Sequence, residues 1–272
     1  MTNDEMTKNS LLWRVTPARG GHASYLFGTM HVRDLRAFRW LDTAQQHVSE
    51  CDVFATEFDF SETDEAALAL ALRLPEGKTL EQFLKPGTWK SLDLYCRKKL
   101  GISADSMRAQ HPMTVSTALS TAFLADESAH SLDETLWHYA RSLGKATTGV
   151  ETFADQLATL QKISFDQQVK SLTWLLKNYG RQKRRLKKMM GWYMEGDIRQ
   201  LYQAAKKDAK GMRRVLLYDR NVLMAGRFEQ IAREQSLFCA VGAGHLAGQK
   251  GMLRLLKKAG FKVKPVNLMG GT

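Results

Sequence analysis

The chain has 272 residues, of which 44% are hydrophobic and 25% charged, fractions typical of a soluble globular protein with room for one large domain or two modest ones. Its formal net charge of +12 raises nucleic acid, anionic membrane surfaces and acidic substrates as classes of partner. The three cysteines, Cys51, Cys96 and Cys239, are widely spaced and form no C-x-x-C pair, which argues against a disulfide framework and a cysteine-rich zinc site.

The first ten residues are polar and lack the apolar core of a secretory signal. No apolar stretch reaches the roughly 20 residues that span a bilayer as a helix. We therefore expect residues 1–10 to form a polar tail and the protein, as written, to be soluble and cytoplasmic. An envelope location stays open if a signal was removed from the sequence.

Two short apolar runs, residues 11–15 and 24–27, predict a β-hairpin, because Pro17, Gly20 and Gly21 lie between them. A helical pattern follows over about residues 38–49. The next apolar run, residues 52–57, predicts a strand that ends at Glu57. Strand, helix and strand in this order indicate a βαβ unit with parallel strands, so Glu57 is expected at the same sheet edge as the end of the second strand.

The middle of the chain is almost entirely helical in pattern, from about residue 61 to residue 110 and again over residues 113–124. Ser131 and Glu134 have the spacing of a capping box for a helix that runs to Leu143, with Gly144 just beyond its end. Residues 145–150 then predict a brief strand that ends at Glu151. This carboxylate is either a site residue or an acid in the first turn of the next helix.

A dense cationic run, residues 181–188, follows a helical pattern over residues 153–177. A solvated helical face is the ordinary interpretation of such a run, and contact with an anionic surface is the functional one. Specific nucleic-acid recognition is not expected, because the run has no interleaved aromatic residues and no known nucleic-acid motif.

A helix predicted over about residues 218–235 carries Arg220 and Asn221. The planar fork of the Arg220 guanidinium suits a substrate carboxylate or a transition-state oxyanion. An ordinary surface ion pair is the alternative for any single arginine.

Two segments near opposite ends of the chain share a G-x-x-H pattern: Gly28 with His31, and Gly242 with His245. In each segment an apolar, strand-like run stops at the glycine, which permits a tight or left-handed backbone, and a histidine follows three residues later. Histidines just past the ends of parallel strands lie where open α/β sheets hold their ligands. A single such histidine is usually a loop or capping residue, but the recurrence favours a joint site.

The segments 24–31 and 241–248, followed by 253–256 and 260–263, resemble the TraB/PrgY/GumN family, which includes the Tiki-type proteases. The similarity covers nearly the whole chain, and the paired G-x-x-H motifs are fairly specific. It implies an α/β fold like that of erythromycin esterase and ChaN-like proteins, with a mixed central sheet, flanking helices and a large, mainly helical insertion. Many relatives are envelope proteins with a signal or anchor, and neither is visible here.

The resemblance also implies a metal-dependent peptidase with a divalent ion, manganese or cobalt, with zinc as a further option. Carried over to this sequence, the metal ligands and catalytic residues are His31, Glu57 and His245. Arg220 is implied as a catalytic and substrate-binding residue. The remaining implied residues are Asn221 and Glu151 for substrate binding and the motif glycines Gly28, Gly242 and Gly244.

The residues themselves agree with this interpretation, because two imidazoles and a carboxylate form a suitable ligand set for manganese, cobalt or zinc. The H-E-x-x-H helix of common zinc proteases is absent from the sequence, so a metalloprotease of this sequence would be of another design. We expect a single α/β domain over residues 11–266, in which residues 61–235 form a largely helical insertion or cap. The oligomeric state and the peptide sequence cleaved stay open.

Two other functions compete with this prediction. The run from Gly242 to Gly248 lies between a strand and a helix like a dinucleotide fingerprint, but its third glycine is one position late and the next strand, residues 261–264, ends without a ribose-binding acid. The other candidate is a non-catalytic protein that sequesters a peptide through a basic helical surface. A sequence cannot show turnover, so this alternative stays open.

Overall fold

The computed structural model describes residues 9–62, 70, 72–124 and 127–267. In this part of the chain one mixed sheet is formed by six strands: β1 (Leu12–Pro17), β2 (Ser24–Thr29), β3 (Val53–Thr56), β4 (Ala146–Gly149), β5 (Leu237–Gly242) and β6 (Phe261–Pro265). The predicted α/β fold with a mixed central sheet is confirmed. Residues 1–8 of the predicted polar tail, and residues 63–69 and 71 of the helical stretch predicted to begin at about residue 61, lie outside the described residues.

Ten α-helices lie in the described residues, and they account for most of the middle of the chain. They are α1 (Leu41–Ser49), α2 (Pro86–Leu100), α3 (Pro112–Thr121), α4 (Leu132–Ser142), α5 (Phe153–Gln161), α6 (Phe165–Lys177), α7 (Tyr179–Met194), α8 (Ile198–Asp208), α9 (Asp219–Glu234) and α10 (Met252–Lys258). None of the helices in this described part combines the length and the apolar character needed to cross a lipid bilayer.

The strands follow the order β4-β3-β5-β2-β1-β6 across the sheet. β1 pairs antiparallel with β2, as the predicted hairpin requires, and antiparallel with β6 on its other side. β2, β5, β3 and β4 run parallel to one another. The crossover from β2 through α1 to β3 therefore gives parallel strands, as predicted, but β5 from the end of the chain lies between them.

Burial along the strands matches their places in the sheet. All six residues of β2 are buried, which explains its continuous apolar run, since a central strand is covered on both faces. β6 alternates between buried and exposed positions, as expected for the edge strand that the sequence predicts. Cys51 and Cys239 are buried free thiols and therefore core residues.

The predicted helix signals occur with small shifts at the ends. Ser131 accepts a hydrogen bond from the Glu134 backbone N–H, and Glu134 accepts one from the Ser131 backbone N–H, so the capping box is present. Helix α4 ends at Ser142, one residue earlier than predicted. Gly144 then has a φ of 68°, in the left-handed region that glycine adopts without strain.

The chain forms two compact units. The first contains the sheet and consists of residues within Met1–Glu62, Glu127–Gln156 and Met189–Thr272. The second consists of residues within Thr63–Asp126 and Leu157–Lys188, and its core includes the fully buried Leu92, Leu119 and Leu172. Residues 127–156 and 189–235, which the sequence places in the helical insertion, thus belong to the unit that contains the sheet.

Candidate functional site

Three parallel strands end at one edge of the sheet, and each is followed by a predicted site residue. Thr29, the last residue of β2, lies beside Gly242, the last residue of β5, and β3 pairs with the other side of β5. His31 follows β2, His245 lies in a short 3-10 turn after β5, and Glu57 directly follows β3. The strand order thus brings together residues that are more than 200 positions apart.

The two imidazoles face one carboxylate oxygen. Glu57 Oε1 lies 3.6 Å from His31 Nε2 and 3.8 Å from His245 Nε2. The same oxygen accepts a hydrogen bond of 2.9 Å from the backbone N–H of Gly242. Each histidine therefore points its Nε2 atom into a common space beside the end of β5.

The motif glycines serve close packing, and of the tight or left-handed backbone that the sequence predicts, the left-handed form does not occur at Gly28 or Gly242. Gly242 has an ordinary φ of −53°, and a Cβ there would lie 3.2 Å from both Glu57 Oε1 and His31 Nε2. A Cβ at Gly28 would lie 2.6 Å from Leu246 Cδ1, because the turn after β5 packs directly on β2. A Cβ at Gly244 would lie 2.7 Å from Ala205 Cβ, so the glycine at this position allows α8 to pack closely.

Arg220 holds the second oxygen of Glu57. Its Nη2 donates to Glu57 Oε2 at 2.7 Å, and its Nε and Nη2 both donate to Glu151, whose side chain is fully buried. Glu151 follows β4, so the carboxyl end of a fourth strand supports the site. The predicted substrate contacts of Arg220 and Glu151 stay predictions, and their observed contacts favour a role in orienting Glu57.

His245 is oriented by Asn221. The imidazole Nδ1 lies 2.6 Å from Asn221 Oδ1, and Asn221 Nδ2 donates to the Lys250 carbonyl at 2.7 Å. The bond to Lys250 fixes which end of the amide faces the histidine, so Oδ1 accepts from an Nδ1–H and Nε2 keeps its lone pair. Asn221 is fully buried, which favours this role over the substrate contact that the resemblance implies.

His31 is oriented by Asp133, a residue that the sequence does not single out. Asp133 Oδ2 lies 3.0 Å from His31 Nδ1, and Asp133 Oδ1 accepts a hydrogen bond from Thr29 Oγ1. In the sequence Asp133 is an ordinary acid in the first turn of α4, between the two residues of a capping box. Asp133 differs from an ordinary first-turn acid because it is buried, and only the structure reveals this burial.

The contacts perturb the protonation of all three predicted ligands. The charge of Asp133 holds the pKa of His31 well above its ordinary value. Burial favours a raised pKa for Glu57, but the adjacent His31 imidazole and the charge of Arg220 outweigh it and hold that pKa well below its ordinary value. Burial lowers the pKa of His245 to about 4, so this imidazole is neutral at pH 7.

The donor types and the charge of the arrangement are those that a divalent cation accepts. Two imidazole Nε2 atoms and a carboxylate oxygen are ligands that such ions accept once His31 has lost its proton, and ligand atoms on a tetrahedral ion lie about 3.4 Å apart, near the separations of the Nε2 atoms from Glu57 Oε1. If both imidazoles are neutral, the site has a net charge of −2, from the guanidinium of Arg220 and the carboxylates of Glu57, Glu151 and Asp133. Within the described residues, no group of three or more His, Cys, Asp or Glu side chains is placed so that it could hold a metal ion without some movement.

The profile of the TraB/PrgY/gumN family matches residues 11–265, which is nearly the whole chain and every residue of this site. The chain belongs to the TraB/PrgY/gumN family. Among curated proteins, this family member is 24% identical to "Metalloprotease TIKI2" of Danio rerio over 94% of the chain and 61% of the relative. It is also 23% identical to "Metalloprotease TIKI1" of Homo sapiens, over 94% of the chain and 62% of the relative.

This TraB/PrgY/gumN chain thus spans about three fifths of the length of the curated relatives that it matches. Those relatives are named as metalloproteases. No solved structure gives a significant match.

Proposed function

We propose that this chain is a metal-dependent hydrolase that cleaves peptide bonds, with His31, Glu57 and His245 as the metal ligands. The single observation that carries the proposal is the convergence of two Nε2 atoms on Glu57 Oε1, at 3.6 and 3.8 Å. Because both Nδ1 atoms have acceptors of their own, both Nε2 atoms are directed into the same space. The raised pKa of His31 keeps a proton on that imidazole, and a metal ion that binds there would displace the proton from Nε2. The names of the relatives support a peptide as the substrate.

The donor set indicates the class of ion. It contains nitrogen and oxygen atoms and no thiolate, since the three cysteines are buried elsewhere as free thiols, so manganese and cobalt fit it well and zinc is also accepted. A divalent ion bound there supplies Lewis-acid polarisation of the scissile carbonyl and lowers the pKa of water toward neutrality.

The surrounding residues fix the position of the Glu57 carboxylate. Arg220 takes Oε2, while the Gly242 N–H holds Oε1 in front of the imidazoles. That N–H is occupied, so any oxyanion stabilisation has to come from another donor, and the Arg220 guanidinium lies directly against Glu57. We propose this second role for Arg220 in addition to its contact with Glu57.

Metal titration tests the proposal directly. Metal-stripped wild type, His31→Ala and His245→Ala are titrated by calorimetry with Mn²⁺, Co²⁺ and Zn²⁺, and His22→Ala serves as a matched control because His22 is exposed in the loop between β1 and β2. We expect one site in the wild type and in His22→Ala, and its loss in both other variants. A wild type that binds none of the ions would contradict the proposal.

Cleavage of a peptide library, followed by mass spectrometry, tests the reaction. The metal-loaded wild type should give two product fragments for each peptide bond broken, and His245→Ala should give none. Loss of free peptide without fragments would instead indicate the non-catalytic sequestering protein.

A further inference from the structure

The two histidines of the site differ sharply in how much of each side chain is covered. The His245 side chain is 9% exposed, so its packing alone restricts the ring. The His31 side chain is 55% exposed and lies in a segment with no regular secondary structure. An exposed imidazole on such a segment has several accessible ring orientations, so something else has to hold His31 Nε2 toward Glu57.

Asp133 is itself held in place from several directions. Both of its oxygens are engaged, Oδ1 by the Thr29 hydroxyl and Oδ2 by His31 Nδ1, and its side chain is only 3% exposed. Its helix is anchored by the buried Leu132 and Leu136. The carboxylate is therefore a fixed acceptor beside a largely exposed ring.

We propose that Asp133 is the positioning residue that makes His31 a metal ligand, by holding Nδ1 as the donor and directing Nε2 into the site. This inference rests on the proposed function. A flip of the ring by roughly 180° about χ2 would exchange Nδ1 with Cδ2 and Nε2 with Cε1, so that carbon atoms would face Asp133 and Glu57 and the bond to Asp133 would be lost. Asn221 does the same for His245 with an amide oxygen, so the two ligands are oriented by the same means from different helices.

The test compares three variants on the full chain, with Mn²⁺ alone as the probe. Asp133→Ala removes the acceptor and Asp133→Asn keeps an oxygen in its place. Glu134→Ala changes the neighbouring acid of the same helix start, which contacts the Ser131 backbone instead of the site, and so controls for loosening of α4.

We expect Asp133→Ala to bind Mn²⁺ about 10- to 100-fold more weakly than the wild type, and Asp133→Asn and Glu134→Ala to stay within about threefold of it. Wild-type affinity in Asp133→Ala, or an equal loss in Glu134→Ala, would overturn the inference. If Asp133→Ala does not fold, Thr29→Val takes its place, since it removes one anchor of Asp133, and unchanged affinity there would count against the inference.

A metal-free measurement separates this inference from the proposed function. The hydrogen-bonded Nδ1 proton of His31 should give a protected, downfield proton resonance in the wild type and in Asp133→Asn. The resonance should be absent from Asp133→Ala and His31→Ala. If the wild type binds no metal ion, the proposed function fails, and this resonance still decides whether Asp133 holds the ring: its persistence in Asp133→Ala would overturn the positioning role.

Discussion

Replacement of Gly242 by alanine separates a binding site from a merely structural cluster. The backbone at Gly242, with φ −53° and ψ 131°, is one that alanine adopts without strain. The added Cβ would lie 3.2 Å from Glu57 Oε1 and from His31 Nε2, and 3.6 Å from His245 Cδ2. The methyl group therefore enters the space that all three predicted ligands face.

The expected magnitudes follow from these distances. Contacts of 3.2 Å require the donor atoms to move by a few tenths of an ångström, and binding constellations tolerate errors of only about 0.5 Å. We therefore expect Gly242→Ala to weaken Mn²⁺ binding by at least about tenfold, near the lower end of the effects seen when ligand orientation is disturbed. The free energy of unfolding should change by less than about 1 kcal/mol, because the lower entropy of the unfolded chain offsets the crowding.

Calorimetry for Mn²⁺ affinity and urea denaturation for stability measure the two quantities on the same samples. Gly226→Ala is the matched control, because Gly226 lies in α9 with nothing within 4 Å of an added Cβ; it should be slightly more stable and bind normally. Gly28→Ala, in contrast to Gly242→Ala, should lower the free energy of unfolding by about 1–3 kcal/mol, because its Cβ meets Leu246. Normal Mn²⁺ affinity in Gly242→Ala would refute the placement of the ion among these three side chains.

Three further outcomes are expected. Glu151→Leu should lower the free energy of unfolding, measured in urea, by about 3 kcal/mol, because it leaves a buried guanidinium with one carboxylate partner fewer. Burial favours a raised pKa for Asp155, but hydrogen bonds from Thr152 and Arg227 lower it overall. Its stabilising contribution should thus be complete above its unfolded pKa and fall as the pH drops through the folded value, a dependence that melting curves of Asp155→Asn should lack. If the cationic run 181–188 contacts an anionic surface, sedimentation with phosphatidylserine vesicles should fall as salt rises and vanish when its exposed cations are replaced by glutamate.

The sequence predicts the framework of the site well. Apolar runs bounded by glycine and proline identify the strands, and the G-x-x-H spacing places a histidine past the ends of β2 and β5. The βαβ order predicts the shared edge with Glu57. These features are local, or follow from the handedness of chain connections, which is why they can be read without coordinates.

The supporting contacts of the site could not be predicted in the same way. Asp133 and Glu151 both look like first-turn acids, and only tertiary packing shows that each is buried against a basic partner. The insertion of β5 between β2 and β3 is a long-range pairing that no local pattern records. The glycine pattern predicts a tight or left-handed backbone at Gly28 and Gly242, but it does not show that atoms of neighbouring residues leave no room for a Cβ at either position.

The strand order also has a consequence for how the site comes into being during synthesis. β5 is the strand that joins β2 on one side to β3 on the other, and it is made after residue 236. Until then β1 and β2 can pair with each other and β3 can pair with β4, but the two pairs share no hydrogen bonds and each presents an open edge. Before β5 is made, no strand can link the sheet segment that carries His31 to the one that carries Glu57, so completion of the site depends on the last strand but one.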